Sequence, residues 1–367
     1  MKLFGAIVAL CFVVFSIALY FRFFYQASKQ DHVVFQPYSV SPIKQIVSYT
    51  PQLATVDAIF SKNHSWIATL SADHIRVLTA TGDVIPARSV NYGVVRRDNS
   101  LWPYEKVVSF FKENKSDVVF INLETPLITN CTPTVEGMSF CGDARNIEGL
   151  QYIGVTVANL ANNHAGNRGI VGIKKTADLL NSADILVTGT SSAVFKDVKG
   201  VRFAFLGFND IGGKEEGISW ADKDNISSQI HDVRAKADIV IVTFHWGTEY
   251  QSQPDKMQVA LGHLAVAMGA DLVIGNHPHW IQPIEFYKGK LITYAHGNFV
   301  FDQMWSLKTR QGVVGRYIFY DKTLIDVEYF PVEIQDYGQP HFLTGEEKTK
   351  IISDMQNQSL LLREHMR

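Results

Sequence analysis

What this sequence has least of is surplus charge. Its 34 Lys and Arg stand against 36 Asp and Glu, a formal net charge of −2, and no basic run is longer than a few residues. Binding to a phosphate backbone needs a clustered cationic face, so nucleic acid is not an expected partner. Internal repeats and low-complexity tracts are lacking too, which excludes a repeat array; a chain of 367 residues is long enough for one large domain or two smaller ones. Cysteine is scarce, at three residues: Cys11 lies in an apolar segment, and Cys131 and Cys141 have nine residues between them in a loop that holds Pro133 and Gly137. In an oxidising compartment that spacing suits a loop-closing disulfide worth ~2–3 kcal/mol; otherwise the pair is two free thiols.

What is present begins at the N-terminus. Residues 3–21 carry no charge and are bounded by Lys2 and Arg22. At ~1.5 Å per residue a helix of that length nearly spans a ~30 Å hydrocarbon core. Tyr20, Phe21, Phe23, Phe24 and Tyr25 cluster at its end as an interfacial belt would. A cleaved signal peptide would show a shorter apolar core and a small-x-small site, for which Ala27-Ser28 is a poor match. The expectation is therefore a single-pass transmembrane anchor over residues 1–25, in the cell membrane with the main domain extracytoplasmic; a cleaved signal and a buried helix are the alternatives. Residues 26–74, with Pro37, Pro42 and Pro51, read as a linker and small N-terminal elaboration. A short helix is expected near 56–61 and a strand near 65–70, with His32, His64 and His74 on the surface.

From residue 75 the pattern changes. Apolar, β-branched runs at 75–79, 117–121, 154–160, 185–188, 201–208, 238–244 and 271–274 read as strands. Between them, helical spacing is found at 102–114, 169–182, 223–236 and 254–268. A late antiparallel hairpin is expected at 313–320 and 324–331, turning at 320–322, and residues 346–366 read as an exposed helix. This order predicts an α/β layered domain over 75–335 and a C-terminal helical tail over 336–367. In such sheets ligands gather outside the carboxyl ends of strands.

Five of those ends carry ligand-type residues: Asp83; Asn122 with Glu124; Asn163-His164; His245 with Glu249; and His277 with His279 around Pro278. One carboxylate there can equally cap the next helix, and one histidine can be structural. Five together suit a divalent metal, Mn, Fe, Zn or Mg, whose use in hydrolysis needs a bridging carboxylate and an acid for the leaving group. Pro278 stiffens the turn that holds the paired histidines. Trp246 and Trp280 each follow one of these histidines and either wall the cleft or pack in the core. His263, within the helix expected at 254–268, reads as packed or on the surface, and His231, His341 and His365 have no supporting neighbours.

The segments GDVIPAR, NLETP, ANNHAGNRG, HWGTEY, GNHPHWIQPIE and YAHGNFVFDQ, in that order over roughly residues 76–303, resemble the CapA family. That family is named for poly-γ-glutamate capsule synthesis and is similar to the calcineurin-like metallophosphoesterases. The resemblance implies a four-layer α/β/β/α sandwich with metals at one edge. On it, Asp83 matches the first metal aspartate, Glu124 a bridging carboxylate, and Asn163 the asparagine of an Asn-His motif. His164 is then the catalytic or phosphate-facing histidine, His245 the single metal histidine, and His277 and His279 the paired ones. Arg88, Glu249 and Asn298 fall in family motifs; Arg88, as a candidate for binding a substrate anion, and Glu249 are grouped with His164 as catalytic candidates, and Asn298 is given a supporting role. CTPTVEGMSFCGD resembles the family's loop, which favours the disulfide.

Three positions depart from the pattern. Ile85 stands where ordinary metallophosphoesterases have a histidine two residues after the first aspartate, a loss the CapA family shares, so one metal site lacks a ligand. Asn167 replaces an aspartate that would orient His164. His296 replaces an apolar residue, either as an extra ligand or as a partly exposed turn residue. The expected protein is thus an anchored component of capsule or poly-γ-glutamate synthesis or export, with a metal-dependent phosphoesterase-type site for a phosphoester or an anionic polymer. The alternative is a non-catalytic polymer-binding or scaffold subunit beside capsule synthase subunits.

Overall fold

The computed structural model describes residues 54–61, 63–190 and 192–366. The expected anchor and most of the expected linker, His32 included, lie outside the described residues. Among the described residues, no helix is long and apolar enough to cross a membrane.

The strand Ile75–Val84 is buried along all but its first residue, as a strand covered on both faces must be. Residues 75–80 pair antiparallel with Gln311–Tyr320, and the other edge pairs in parallel with Val118–Leu123. Beyond Ala80 the partner changes: Asp83 and Val84 run parallel to Asn298–Val300. Gly82 makes the switch possible, because a Cβ there would lie 2.3 Å from the Gly297 carbonyl oxygen. The break in register sets Asp83 opposite both Asn122 and Asn298.

Around this strand the eight-stranded sheet runs Gln339–Phe342, Thr323–Gln335, Gln311–Tyr320, Ile75–Val84, Val118–Leu123, Val157–Asn159, Leu186–Thr188, with Asn298–Val300 beside Ile75–Val84. A six-stranded sheet runs Ile284–Tyr287, Lys290–Thr293, Leu272–Asn276, Ile239–His245, Val201–Asn209, Val194–Val198. Its inner strands are parallel and its two edge strands antiparallel.

Alternation along each strand decides the layers. Val118 and Phe120 pack in a core shared with Phe205, Ile241 and Ile274 of the other sheet, while Val119 and Ile121 pack with Leu150 and Leu180 from the helices Asn146–Tyr152 and Gly169–Ser182. On the far side, Val240, Val242 and Val273 pack with Ile230 and Leu261 from the helices Lys223–Arg234 and Lys256–Met268. Helix, sheet, sheet and helix are therefore stacked in that order.

Several local expectations change for identifiable reasons. Residues 65–70 form a 3-10 turn, Ser65–Thr69, not a strand; the Asn63 side chain accepts the Ser65 N–H (3.1 Å), a local bond that competes with sheet pairing. The helix expected at 102–114 is divided into Trp102–Tyr104 and Val108–Glu113, with a turn at 105–107 between them. The helix expected from 254 begins at Lys256 because Asp255 is its N-cap, in a capping box with Gln258. The tail is helical, Gly345–His365, but one face is not exposed: Ile351, Met355, Ser359 and Leu362 are buried, and Ser359 Oγ accepts the Ile284 N–H (3.0 Å). From Ala54 the chain already enters the core between the sheets through Val56, Ile59 and Phe60. His64 is not a surface residue: its Nδ1 lies 2.6 Å from Asp326, which raises its pKa chiefly through that hydrogen bond. The hairpin forms as Gln311–Tyr320 and Thr323–Gln335, and Cys131 and Cys141 are disulfide-bonded.

The Gly82 contact makes a testable claim. Gly82→Ala should lower the free energy of unfolding by about 1–3 kcal/mol, as overpacking against backbone does. Gly213→Ala, at a position with nothing within 4 Å of the new Cβ, should change it little. Urea denaturation with equal slopes for the three proteins would read the difference from the midpoints.

Candidate functional site

The strand ends are joined by a lattice of buried amides. Asn122 Nδ2 donates to Asp83 Oδ1 (2.8 Å) and faces His245 Nδ1 at 3.2 Å, linking the two sheets. Its oxygen accepts from Asn159 Nδ2 (3.0 Å) and Asn162 Nδ2 (3.4 Å). Asp83 Oδ2 accepts the His277 backbone N–H (3.3 Å) and lies 3.2 Å from His279 Nδ1. That nitrogen is also 2.9 Å from Asn298 Oδ1. Asn298 Nδ2 donates to Thr309 O (2.8 Å) and Gln303 Oε1 (3.3 Å), which fixes the amide and places the proton on His279 Nδ1. His245 Nε2 meets Asn163 Oδ1 at 2.8 Å, His277 Nδ1 at 3.1 Å and Glu124 Oε1 at 3.4 Å.

The backbone carrying the paired histidines is strained. His277 has φ 97° and His279 φ 58°, conformations that cost a non-glycine residue on the order of 1–3 kcal/mol each and persist where the surroundings dictate them. Titration follows the same contacts. Burial alone would raise the Asp83 pKa, but the bond to His279, the charges of His279 and His245, and the Asn122 amide hold it below the usual carboxylate value. Burial alone would depress His279; the Asp83 bond and the Glu124 and Asp83 charges instead push it up to about 9. His277 is held well below the ordinary value by burial and by His245, His279 and His164.

Three overlapping groups have ligand atoms within 4.8 Å of one another: Glu124, His245 and His277; Asp83, Glu124 and His279; and Glu249, His277 and His279. Both Glu124 oxygens are buried with no hydrogen-bond partner. A carboxylate left this way needs a cation, and the mixed carboxylate and imidazole surroundings fit a divalent metal.

The remaining sequence candidates fall around this group. His164 is buried, and its Nδ1 lies 2.9 Å from Asn167 Oδ1. The same oxygen accepts the Phe140 N–H (2.7 Å), so it is the amide oxygen and His164 carries its proton on Nδ1. Asn167 thus orients His164 as the expected aspartate would, without a charge. Phe140 stacks on His164 with centroids 3.9 Å apart. Arg88 is not in the metal-type group. It pairs with Asp302, with its guanidinium 5.1 Å from the Phe140 centroid and 4.8 Å from that of Phe301, so its charge is already compensated. Glu249, grouped with the catalytic candidates, stands with the ligand-type side chains.

Ile85 packs with Phe140, Phe301 and Ile334 in an apolar wall. His296 is neither exposed nor part of any metal-type group: it is buried, its Nε2 lies 2.8 Å from the Tyr317 hydroxyl, and burial pushes its pKa down to about 4. Trp246 is core, stacked on Phe244 at 4.4 Å. The sequence reading missed Asn159 and Asn162 as lattice members and Asp302 as the partner of Arg88. A polar residue inside the apolar run VAN was the available signal for Asn159.

Layered sheets with carboxylates, amides and imidazoles converging at strand ends define a candidate divalent-metal protein. The family described as Bacterial capsule synthesis protein PGA_cap matches residues 77–303, and the chain belongs to that family. It is 32% identical over 290 residues to "Capsule biosynthesis protein CapA" of Bacillus anthracis, covering 73% of this chain and 69% of the relative. It is 30% identical over 283 residues to "PGA biosynthesis protein CapA" of Bacillus subtilis (strain 168), covering 72% and 73%. Among solved structures, a phosphatase from Mycoplasma pneumoniae aligns with a TM-score of 0.45 at 10% identity, covering 75% of this chain and 96% of the other.

Two outcomes follow from these electrostatics. Glu124→Gln removes a buried carboxylate that accepts no hydrogen bond, so in chelator its melting temperature should equal or exceed wild type, while stabilisation by added Mn²⁺ should be lost. The protonated His279 is favoured by the fold, so its contribution is fully present below pH 6.5 and disappears as pH rises through about 9. Metal-free protein should therefore lose up to roughly 3 kcal/mol of stability over that window, as denaturation in chelator at several pH values would read.

Proposed function

We propose that this chain is a membrane-anchored, extracytoplasmic component of capsule poly-γ-glutamate synthesis or export, built as a metallophosphoesterase-like sandwich with a metal-dependent hydrolase site. The names of its CapA relatives support the pathway, and the apolar residues 3–21 support the anchor. The observation that carries the metal reading is Glu124, whose two buried oxygens accept no hydrogen bond although Asp83, His245, His277 and His279 surround it.

Asp83, Glu124, Asn163, His245, His277 and His279 would hold the metal, with Glu249 in reach of the last two. When bound, a divalent ion supplies Lewis acidity toward a phosphoryl or acyl oxygen. The protein's own contribution is orientation. Asn122 and Asn298 fix the Asp83 carboxylate and the His279 ring, and Asp83, Glu124, His245, His277 and His279 are buried away from bulk water. Asn167 keeps the His164 proton on Nδ1, so Nε2 is the atom that can take a proton and return it to a departing oxygen or nitrogen. The substrate class is a phosphoester or an amide of the acidic polymer.

A second reading, a polymer-guiding subunit without catalysis, is favoured by Ile85: the position of the absent histidine is filled by apolar packing. His164→Ala separates the two. On the catalytic reading the full chain binds about one or two divalent ions, and the variant keeps the metal but loses about 10²–10⁴-fold in hydrolysis of phosphoester or poly-γ-glutamate substrates. A folded variant that restores capsule fully to a deletion strain would favour the guiding subunit, and a folded chain that takes up no ion would end the metal reading.

A further inference from the structure

Tyr250 meets the ligand-type histidines through its backbone, its ring and its hydroxyl. It stands in the loop after the Ile239–His245 strand in a strained conformation, φ 61°. Its backbone N–H donates to the Pro278 carbonyl (2.9 Å), which ties it to the turn carrying His277 and His279. The half-buried ring has its centroid 6.3 Å from those of His279 and Trp280 and 6.1 Å from that of Trp305. These ring contacts need only a phenyl group, so they leave the hydroxyl to be explained.

The hydroxyl belongs to a chain of hydrogen bonds with a single direction. His279 Nδ1 donates to Asn298 Oδ1 (2.9 Å), and Asn298 Nδ2 donates to Gln303 Oε1 (3.3 Å). That contact marks Oε1 as the acceptor end of the Gln303 amide, so Gln303 Nε2 is the donor to the Tyr250 hydroxyl (3.0 Å). A phenol oxygen that accepts from an amide turns its own proton elsewhere. Here the Glu249 carboxylate takes it: burial first, then the Glu249 charge and this hydrogen bond hold the Tyr250 pKa above its ordinary value. Glu249 forms no ion pair with Lys or Arg among the described residues. Its ligand atom lies within 4.8 Å of those of His277 and His279. The run of donors that leaves one ligand-type side chain, His279, therefore ends on another, Glu249.

We propose that Tyr250 is a positioning residue whose hydroxyl holds the Glu249 carboxylate toward His277 and His279. On the metal reading, this lets the second sheet supply a ligand where apolar Ile85 leaves the first sheet without one. The ligand role of Glu249 rests on that reading; the bond from Tyr250 to Glu249 does not.

Full-length chain carrying tyrosine labelled with ¹³C at Cζ reads the bond without metal, and Tyr250→Phe assigns the resonance. In chelator the Tyr250 signal should move in Glu249→Leu, which removes the acceptor, and stay in place in Glu216→Leu, at an exposed position. Calorimetry with Mn²⁺ then reads the ligand role. Tyr250→Phe keeps the ring and should weaken Mn²⁺ binding about 10–100-fold, the usual cost of losing the partner that orients a ligand. Adding Tyr250→Phe to Glu249→Leu should cost little more than Glu249→Leu alone, because both changes remove one interaction. A Tyr250 signal indifferent to Glu249, or wild-type Mn²⁺ affinity in Tyr250→Phe, overturns the proposal. A signal that responds to Glu249 in a chain that takes up no ion upholds Tyr250 as the residue positioning Glu249, while the metal reading falls.

Discussion

Asp83 is fully buried, and burial opposes its charge. It stays ionised because each neighbouring element sends it a donor: the Asn122 amide from the adjacent strand, the His277 backbone N–H from the far sheet's exit turn, and the protonated His279 ring. The remaining geometry at the strand ends depends on that convergence. It exists only because the Ile75–Val84 strand changes partner at Gly82, where two backbones touch too closely for any side chain. One glycine thus fixes how a carboxylate of one sheet faces the histidines of the other. The amide lattice behind it spreads the fixation sideways, since Asn122 cannot turn without breaking bonds to Asp83 and Asn159 at once.

The disulfide acts on the opposite wall. Cys141 is joined to Cys131 and directly follows Phe140, which stacks on His164 and donates its N–H to the oxygen that orients that histidine. The same ring lies under the Arg88 guanidinium. A loop that looks peripheral in sequence therefore sets the plane and tautomer of His164. Arg88, locked to Asp302, belongs to this scaffold; its charge is balanced within the protein.

How much of this could be read beforehand depends on whether the information is local. Strands of the β-branched kind, the late hairpin and the strand-end positions of Asp83, Glu124, His245, His277 and His279 were legible, because burial on both faces and ligand-type residues at strand exits leave short-range marks. The N-cap at Asp255 shifted a boundary by local chemistry that the apolar pattern does not record. Long-range facts were not legible. Nothing near His64 indicates Asp326, and nothing near Arg88 indicates Asp302; both pairs join segments more than two hundred residues apart. His296 looked like a turn residue because the Gly-Asn that follows it suggests exposure, yet the switch of strands at Gly82 carries that turn inside.

The same switch bears on what the missing histidine means. Ile85 leaves no gap: it has no solvent exposure and packs against Phe140 and Phe301, rings that flank His164 and His279 respectively. An imidazole there would have to displace that wall, so the apolar residue is part of how the two histidines are held. Meanwhile Glu249, from the loop after the Ile239–His245 strand, brings a carboxylate within 4.8 Å of His277 and His279. The ligand count is thereby shifted from the first sheet to the second. A centre built this way keeps the buried Glu124, whose oxygens accept no hydrogen bond, while the absent ligand lies on the side where Phe140 and His164 stand. On the proposed reading, cation binding would rest on the wall that carries Glu124 and proton transfer by His164 on the other, so that a change on one need not disturb the other.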